Sequence, residues 1–229
     1  MAPNKMTALT FTLNSKHAFK LDCSHLTPNN LTGLSLAQIE NLNILNGKNS
    51  SKVVDYFEVS GTDTENVIFK NSSSQLNYIG HKMSLGQIAI EGDCGDFLGA
   101  NMRGGRIVCT GSAGDRVGDL MRRGLILIDG NAGDYCGSRM LAGTIGVHGK
   151  VGHYAGFGMK RGTILLTEIP IFHATMQDCG SHNLPFLKIL FNAIKPLKSK
   201  FSMLDSTRVQ RYGGDIACNG NGEILIFKS

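Results

Sequence analysis

The sequence predicts an all-β fold, a parallel β-helix of 19-residue coils, and two observations support that prediction. The first is a repeat in which glycine and methionine return every 19 residues without insertion from residue 86 onward. A fixed period near this length indicates stacked, nearly identical turns of chain. The repeated positions are Gly86, Gly105, Gly124, Gly143 and Gly162; Gly92, Gly111, Gly130 and Gly149; Gly95, Gly114, Gly133 and Gly152; Gly99, Gly118, Gly137 and Gly156; and Met102, Met121, Met140 and Met159.

The second observation is one short aliphatic run in each coil, too short for a helix and rich in strand-forming residues. The runs are 88–90, 107–109, 126–128, 145–147 and 164–166, and we expect Ile88, Ile107, Ile126, Ile145 and Ile164 to stack inward. Glycine between the runs suits bends that need positive φ or close backbone approach. Successive coils would then lie ~4.8 Å apart.

Two other repeat folds fit the sequence less well. The left-handed helix of hexapeptide repeats needs six-residue sides, and a period of 19 residues is not a multiple of six. Leucine-rich repeats have a similar length, but they need a Leu-x-x-Leu-x-Leu pattern with an Asn or Cys ladder. The 19-residue repeats lack that pattern.

The repeat divides the chain into three predicted parts: an N-terminal extension and cap at 1–60, the parallel β-helix at 61–169, and a C-terminal extension at 170–229 that packs on the rod or on partners. Residues 55–85 are predicted to form one or two degenerate coils that protect the open strand edge.

Short elements are predicted in both flanks. A capping box at Ser35 predicts a helix that ends near Leu42. Pro185 in a first turn predicts a helix over 185–194. A final strand at 223–227 follows the turn signal at 220–222.

Composition indicates one compact unit with reduced thiols. The chain has 229 residues, 41% of them hydrophobic, and shows no signal-peptide pattern. No segment approaches the ~20 apolar residues of a membrane span. The six cysteines, Cys23, Cys94, Cys109, Cys136, Cys179 and Cys218, show no C-x-x-C pairing. We therefore expect a cytoplasmic protein.

Positive charge is modest overall but follows the repeat. The net charge of +5 comes without a basic run or interleaved aromatic residues, which does not favour nucleic-acid binding. Several basic residues come just after the repeat methionine and predict a basic stripe along the rod: Arg103, Arg122, Arg123, Lys160 and Arg161. Three interpretations stay open: a solvated face, a track for an anionic ligand, and a contact with an acidic neighbouring protein.

The sequence predicts no catalytic or metal-binding residues. His148 and His153 lie one bend apart without a further ligand at metal-binding spacing. A cluster after the rod contains a thiol and imidazoles without a visible base-orienting geometry: His173, Asp178, Cys179 and His182. Glycine spacing matches neither the dinucleotide-binding fingerprint nor the P-loop.

A carboxylate also repeats, at Asp96, Asp115 and Asp134, with His153 in the fourth position. Carboxylates stacked ~4.8 Å apart repel each other by roughly 1 kcal/mol per pair in water. We therefore expect them to be exposed, or to accept hydrogen bonds from the N–H groups of their own bends. Their predicted role is structural.

The repeat resembles the GXGXG domain that closes the large subunit of glutamate synthase, a right-handed β-helix. Four flanking segments make the resemblance more specific to one kind of subunit: 31–39 (LTGLSLAQI), 55–61 (DYFEVSG), 211–217 (RYGGDIA) and 220–224 (GNGEI). With them, nearly the whole chain resembles the C subunit of formylmethanofuran dehydrogenase. The same subunit type occurs in the bacterial formyltransferase/hydrolase complex.

The resemblance implies a scaffold that carries no catalytic residue, cofactor or metal of its own. The implied partners are a metal-dependent amidohydrolase-like A subunit, a B subunit and a formyltransferase-like D subunit, with no nucleic acid and no membrane. In that family the complex moves a formyl unit among formate, a methanofuran-type carrier and a tetrahydromethanopterin-type carrier. Methanofuran-type carriers bear glutamate-rich tails, which makes the basic stripe a candidate track.

A second interpretation is a glutamate-synthase-like domain that assists amidotransfer, or an orphan binding rod. Co-purified formyltransferase and amidohydrolase partners would favour the first interpretation, and glutaminase and flavin-domain partners the second. Between the two formyl complexes, a charged fraction of only 18% favours the bacterial one. Hyperthermophile proteins are instead enriched in Glu and Lys.

Overall fold

The structure, a computed structural model, describes residues 7–14 and 19–227. Their strands are β1 (Ala8–Leu13), β2 (Leu21–Asp22), β3 (Asn43–Asn46), β4 (Asn49–Lys52), β5 (Phe57–Ser60), β6 (Asp63–Ser72), β7 (Leu76–Asn77), β8 (Gln87–Gly92), β9 (Arg106–Cys109), β10 (Leu125–Ile128), β11 (Thr144–Val147), β12 (Thr163–Leu166), β13 (Gln177–Asn183), β14 (Arg208–Gly214) and β15 (Gly222–Phe227). The α-helices are α1 (Pro28–Leu31), α2 (Leu36–Glu40) and α3 (Phe186–Ile194). The predicted all-β class is confirmed.

The repeat builds the centre of an 11-stranded sheet ordered β13-β14-β15-β12-β11-β10-β9-β8-β6-β1-β5. Strands β8 to β12 are parallel and in register, each displaced by one repeat from the strand before. One line of fully buried side chains crosses them: Ile88, Ile107, Ile126, Ile145 and Ile164. The predicted inward stacking of these isoleucines is confirmed.

The bends between the strands stack as well. Ala113 forms an isolated parallel β-bridge with Ala132, and Ala132 forms another with Val151. The residue after a repeat methionine donates its N–H to the methionine carbonyl one unit earlier, at 2.7 to 2.8 Å. The methionines themselves are completely buried: Met83, Met102, Met121, Met140 and Met159. Each unit is therefore bonded to the next through strands and bends alike.

The N-terminal end of the stack is irregular. Strand β6 pairs with β8 at an offset of 21 residues, Val67 opposite Ile88, and a register shift between Phe69 and Ser72 follows. From Asn77, which accepts from the N–H of Asp96 at 2.9 Å, the offset is 19. Gly61 lies in the turn between β5 and β6, so its 19-residue distance from Gly80 does not mark a further coil.

The N-terminal segment closes this end of the sheet. Strand β1 lies parallel to β6, and β5 lies antiparallel to β1 as the edge strand. The rings of Phe11, Phe57 and Phe69 pack together there, with centroids 5.3 to 6.2 Å apart. The sheet therefore continues across the predicted boundary at residue 60. The division into three parts stays a prediction.

A small second sheet, ordered β4-β3-β2-β7, lies beside this end. The capping box predicted at Ser35 is present, with reciprocal bonds between Ser35 and Gln38. The helix it opens, α2, ends at Glu40, slightly before the predicted end.

The C-terminal segment returns to the sheet from the other side. Strand β15 pairs in parallel with β12, so Ile224 continues the isoleucine line. Strands β14 and β13 then add antiparallel to β15. The predicted helix forms as α3, with Pro185 at its N-cap rather than within its first turn.

Helix α3 and the segment after it cover the outer face of the sheet. Leu187, Phe191 and Phe201 pack in a second core with Leu127 and Leu165 of the repeat strands. Asp129, at the end of β10, is buried and accepts from Ser199 Oγ at 2.6 Å and from the N–H of Lys200 at 2.9 Å. These apolar contacts and hydrogen bonds anchor the C-terminal segment to the repeat.

Candidate functional site

The basic stripe lies along one corner of the stacked units. All five of its side chains, Arg103, Arg122, Arg123, Lys160 and Arg161, are exposed. The backbone ladder that joins each unit to the methionine of the unit before sets Arg103, Arg122 and Lys160 on one line. Arg123 and Arg161 each directly follow a member of this line in the chain. The role of the stripe as an anion or interface surface stays a prediction.

The stripe is divided into two groups. The unit between Arg122 and Lys160 presents Leu141 and Ala142 at the corner, so positive charge is interrupted for one repeat. Lys160 is also engaged elsewhere, because its Nζ donates to the carbonyl oxygen of Cys218. Within the described ranges, no ion pair involves Arg103, Arg122, Arg123 or Arg161. Their charges are available to an external anion or protein.

An open cleft of about 450 Å³ lies at the same corner, beside the Arg103 end of the stripe. Its lining includes Arg106, which is not a member of the predicted stripe, together with Glu65, Asn66 and Gln87. The cleft is polar and carries both signs of charge. Arg106 starts a strand instead of following a methionine, so the pattern that identified the stripe could not include it.

The repeated carboxylates have the structural role predicted, but their hydrogen bonds run between units. Oδ1 of each accepts from the N–H of the equivalent residue one unit later, at 3.0 Å from Asp115 to Asp96, 2.8 Å from Asp134 to Asp115 and 2.7 Å from His153 to Asp134. Of the two predicted alternatives, exposure holds for Asp115, whereas Asp96 and Asp134 are half-buried. The alternative of bonds within the same bend is wrong. The donor comes from the unit stacked next to each carboxylate.

The glycine before each of these carboxylates leaves room for that bond. A Cβ on Gly133 would lie 2.2 Å from Oδ1 of Asp115. The first carboxylate, Asp96, also pairs with Lys20. Burial opposes ionisation of Asp96, but the bonds from Lys20 and from the N–H of Asp115 outweigh it and lower its pKa.

A line of aromatic and cationic side chains stands next to the carboxylates, and sequence reasoning missed it. The residues are spaced by one repeat: Tyr78, Phe97, Arg116, Tyr135, Tyr154 and His173. The rings of Tyr78 and Phe97 stack at 4.7 Å, those of Tyr135 and Tyr154 at 5.0 Å, and Arg116 Cζ lies 4.6 Å from the Tyr135 centroid. The unvarying 19-residue spacing was the signal that could have revealed it.

The histidines and cysteines considered in the sequence do not come together in one site. Nε2 of His182 lies 2.9 Å from the carbonyl oxygen of Cys179, not from its thiol, and Nδ1 of His173 bonds Thr175 Oγ1 at 2.8 Å. His148 packs edge-on against Phe201, and His153 lies 3.4 Å from Asp134. No group of three metal-binding side chains occurs in residues 7–14 and 19–227. The same ranges contain no helix long and apolar enough to cross a membrane.

Comparison with known proteins points to one kind of subunit. The chain is 42% identical over 57 residues to the C subunit of tungsten-containing formylmethanofuran dehydrogenase 2 from Methanocaldococcus jannaschii, covering 24% of this chain and 21% of that protein. It is 32% identical over 79 residues to the C subunit of the formyltransferase/hydrolase complex Fhc from Methylorubrum extorquens, covering 34% and 30%. No protein-family model matches the chain.

A solved structure is similar in fold over a much larger part of this chain. One chain in the crystal structure of the formyltransferase/hydrolase complex of Methylorubrum extorquens with methylofuran matches with a TM-score of 0.62 and 28% identity, over 96% of this chain and 100% of that one. This chain is similar to C subunits of both kinds of complex. The resemblance predicted from the repeat and its flanks is confirmed. The segments aligned with the two curated C subunits span only 21% and 30% of those proteins.

Proposed function

We propose that this chain is a non-catalytic scaffold subunit of a cytoplasmic formyltransferase/hydrolase complex. The complex would transfer formyl groups between tetrahydromethanopterin-type and methanofuran-type carriers and formate. The observation that carries the proposal is the structural agreement over 96% of this chain with one chain of such a complex. A rod of stacked units also suits a scaffold, since its hydrogen bonds and core are internal and its sides remain free for neighbours.

The proposed partners are an amidohydrolase-like A subunit, a B subunit and a formyltransferase-like D subunit. Carriers and metals would bind to those subunits and not to this chain. An affinity tag on this chain, followed by mass spectrometry of what co-purifies from the native cells, tests the proposal. We expect the three partners in fixed ratio. Glutaminase and flavin-domain partners, or no partner at all, would contradict it.

We further propose that the stacked units wind as a right-handed parallel β-helix. The support is the unbroken displacement of one repeat between parallel neighbours, in the strands and in the bends. Handedness follows from the resemblance to the glutamate synthase domain. An experimental structure of the complex checks it, and left-handed winding would refute it.

The basic stripe is proposed to meet either a carrier's acidic tail or an acidic face of a neighbouring subunit. The triple variant Arg122→Glu, Arg123→Glu and Arg161→Glu separates the two when the KM for the carrier is measured in the assembled complex. Reversing the charges of Lys48, Lys70 and Lys198, which are exposed and lie outside the stripe, provides the control. An intact complex with an unchanged KM excludes a carrier track. Failed assembly with a normal KM in any surviving complex indicates an interface.

A further inference from the structure

Helix α3 is apolar on more of its circumference than its packing uses. Leu187, Phe191 and Ile194 are buried against the sheet. Phe186 and Ile189 are 45% and 75% exposed, although both are large and apolar. Because residues three apart lie on the same side of a helix, these two side chains form a stripe separate from the buried face. The exposed Ala193, four residues further on, extends it.

A third side of α3 carries Lys188 and Lys195 and borders a groove. The groove has a volume of about 390 Å³, and its lining holds Phe191 and Leu204, two cations (Lys188 and Lys195) and one carboxylate (Asp205). Neither lysine takes part in an ion pair within the part of the chain that the structure describes. With two lysines against one carboxylate, the groove offers apolar contact area beside an excess of positive charge.

The charges beside the stripe and the groove indicate which kind of protein could cover α3. A second copy of this chain also has a net charge of +5 and the same groove with two lysines against one carboxylate, so a symmetric contact would bring excess positive charge together. A different protein with apolar side chains bordered by carboxylates satisfies both the stripe and the lysines. An exposed apolar stripe next to a charged rim has the composition of a subunit interface.

We infer that α3 is a docking element for another subunit of the complex, one that presents apolar side chains bordered by carboxylates. The inference rests on the proposed function, because it identifies where this chain meets one of its partners. The buried side of α3 fixes the helix to the rod, so the exposed side is presented at a defined position. A partner that covers Phe186 and Ile189 would remove them from water on assembly.

The test uses the tagged full chain co-expressed with the proposed A, B and D subunits. The variant Phe186→Asp with Ile189→Asp changes the stripe, and Ile169→Asp with Ile171→Asp is the matched control, since those isoleucines are also exposed but lie outside α3. Both double variants are first compared with the wild-type free chain by thermal unfolding. We expect the α3 variant to recover at least ten-fold less partner, and the control to match the wild type.

Two additional measurements keep the result interpretable. Hydrogen exchange of the wild-type chain, free and assembled, should show slower exchange at residues 186–195 in the complex. The variant Lys188→Glu with Lys195→Glu should weaken recovery most at low salt, where the lost attraction is least screened. Wild-type recovery by the α3 variant, or unchanged exchange over 186–195 in an intact complex, would overturn the inference alone. Failure of the wild-type chain to recover any partner would overturn the proposed function and, with it, the inference.

Discussion

At the residue scale, the thiols show how closely the stacked units exclude water. Cys23, Cys94, Cys109 and Cys136 are buried, whereas Cys179 is exposed. Sγ of Cys94 lies 3.8 Å from Sγ of Cys109 in the same core. Burial raises the pKa of Cys136 to about 12 and also raises that of Cys23. The hydrogen bond with Cys109, together with burial, raises the pKa of Cys94.

These environments predict selective thiol reactivity. With iodoacetamide at pH 8, Cys179 should be alkylated at least about 100-fold faster than Cys136, because the thiolate is the reacting species and burial suppresses it. Peptide mass spectrometry over time measures both rates. Unfolding in urea, as the control, should make the two cysteines react alike. Equal rates in the native protein would show that Cys136 is not sealed in the core.

Residue identities were easier to predict than residue contacts. The spacing of Asp96, Asp115 and Asp134 marked them as a structural series, but not which N–H each would accept from. That partner comes from the neighbouring unit, so it is set by the stacking distance and not by local sequence. The aromatic series beginning at Tyr78 was visible in the same register, yet aromatic residues at a fixed period do not by themselves specify stacking.

At the scale of elements, the turn before each repeat strand depends on glycine. Gly124 has a φ of +109°, and a Cβ there would lie 2.8 Å from Met102 Cε and 2.9 Å from the carbonyl oxygen of Gly105. The substitution Gly124→Val should cost about 1 to 3 kcal/mol in backbone strain. Overpacking against the unit below should add about 1 to 3 kcal/mol. Urea unfolding monitored by circular dichroism measures the loss.

The control for this prediction is Gly47→Val. Gly47 also has a positive φ, +69°, but a Cβ there meets no atom within 4 Å. It should therefore show the backbone cost without the packing cost. Equal destabilisation by the two variants, or full tolerance of Gly124→Val, would refute the stacking register.

The turn that closes the C-terminal end of the stack depends on a buried carboxylate. Asp215 accepts from the N–H of Gly158 at 2.9 Å and from that of Ala217 at 3.0 Å. Burial opposes its ionisation, but bonds from Thr175, Gly158 and Ala217 outweigh burial and lower its pKa. Its stabilising effect is therefore complete above the carboxyl's ordinary value of about 3.9, and is lost as the pH falls through the lower folded value.

Replacing this carboxylate should give a pH-dependent loss of stability. Asp215→Asn should lower the Tm at pH 7, and its difference from the wild type should shrink as the pH falls below about 4. Differential scanning fluorimetry from pH 7 to pH 3 measures this. Asp205→Asn, at a position away from this turn, should leave the Tm unchanged throughout. A difference that stays constant down to pH 3 would show that ionised Asp215 does not stabilise the turn.

At the scale of the whole molecule, segments distant in sequence complete the stack. Strand β15 follows β12 in the sheet although Ile164 and Ile224 are separated by two further strands and α3. At the other end of the stack, strand β1 pairs in parallel with β6, although β2 to β5 separate the two in the chain. Sequence reasoning identified the repeat and the final strand but not these pairings. Neither segment carries the 19-residue register, so only the open hydrogen-bonding edges and the apolar ends of the core determine where they dock.

The irregular N-terminal unit also could not be predicted in detail from the repeat. Its strand β6 is offset from β8 by two residues more than the repeat; the offset falls to 20 where Ser72 lies opposite Gly92, and it reaches 19 at Asn77. A fixed period cannot locate such an insertion, because Gly61 matches the period by number without occupying the equivalent turn. The repeat therefore predicted the regular units closely and the degenerate one only in outline.

Reconstitution tests the proposed role of the whole molecule most directly. The proposed A, B and D subunits are purified with and without this chain, and formyl hydrolysis and subunit stoichiometry are measured on each preparation. We expect this chain alone to show no activity, the other subunits without it to lose assembly and most of their coupled activity, and its addition to restore both. A complete and fully active complex that forms without this chain would contradict its role as the scaffold subunit.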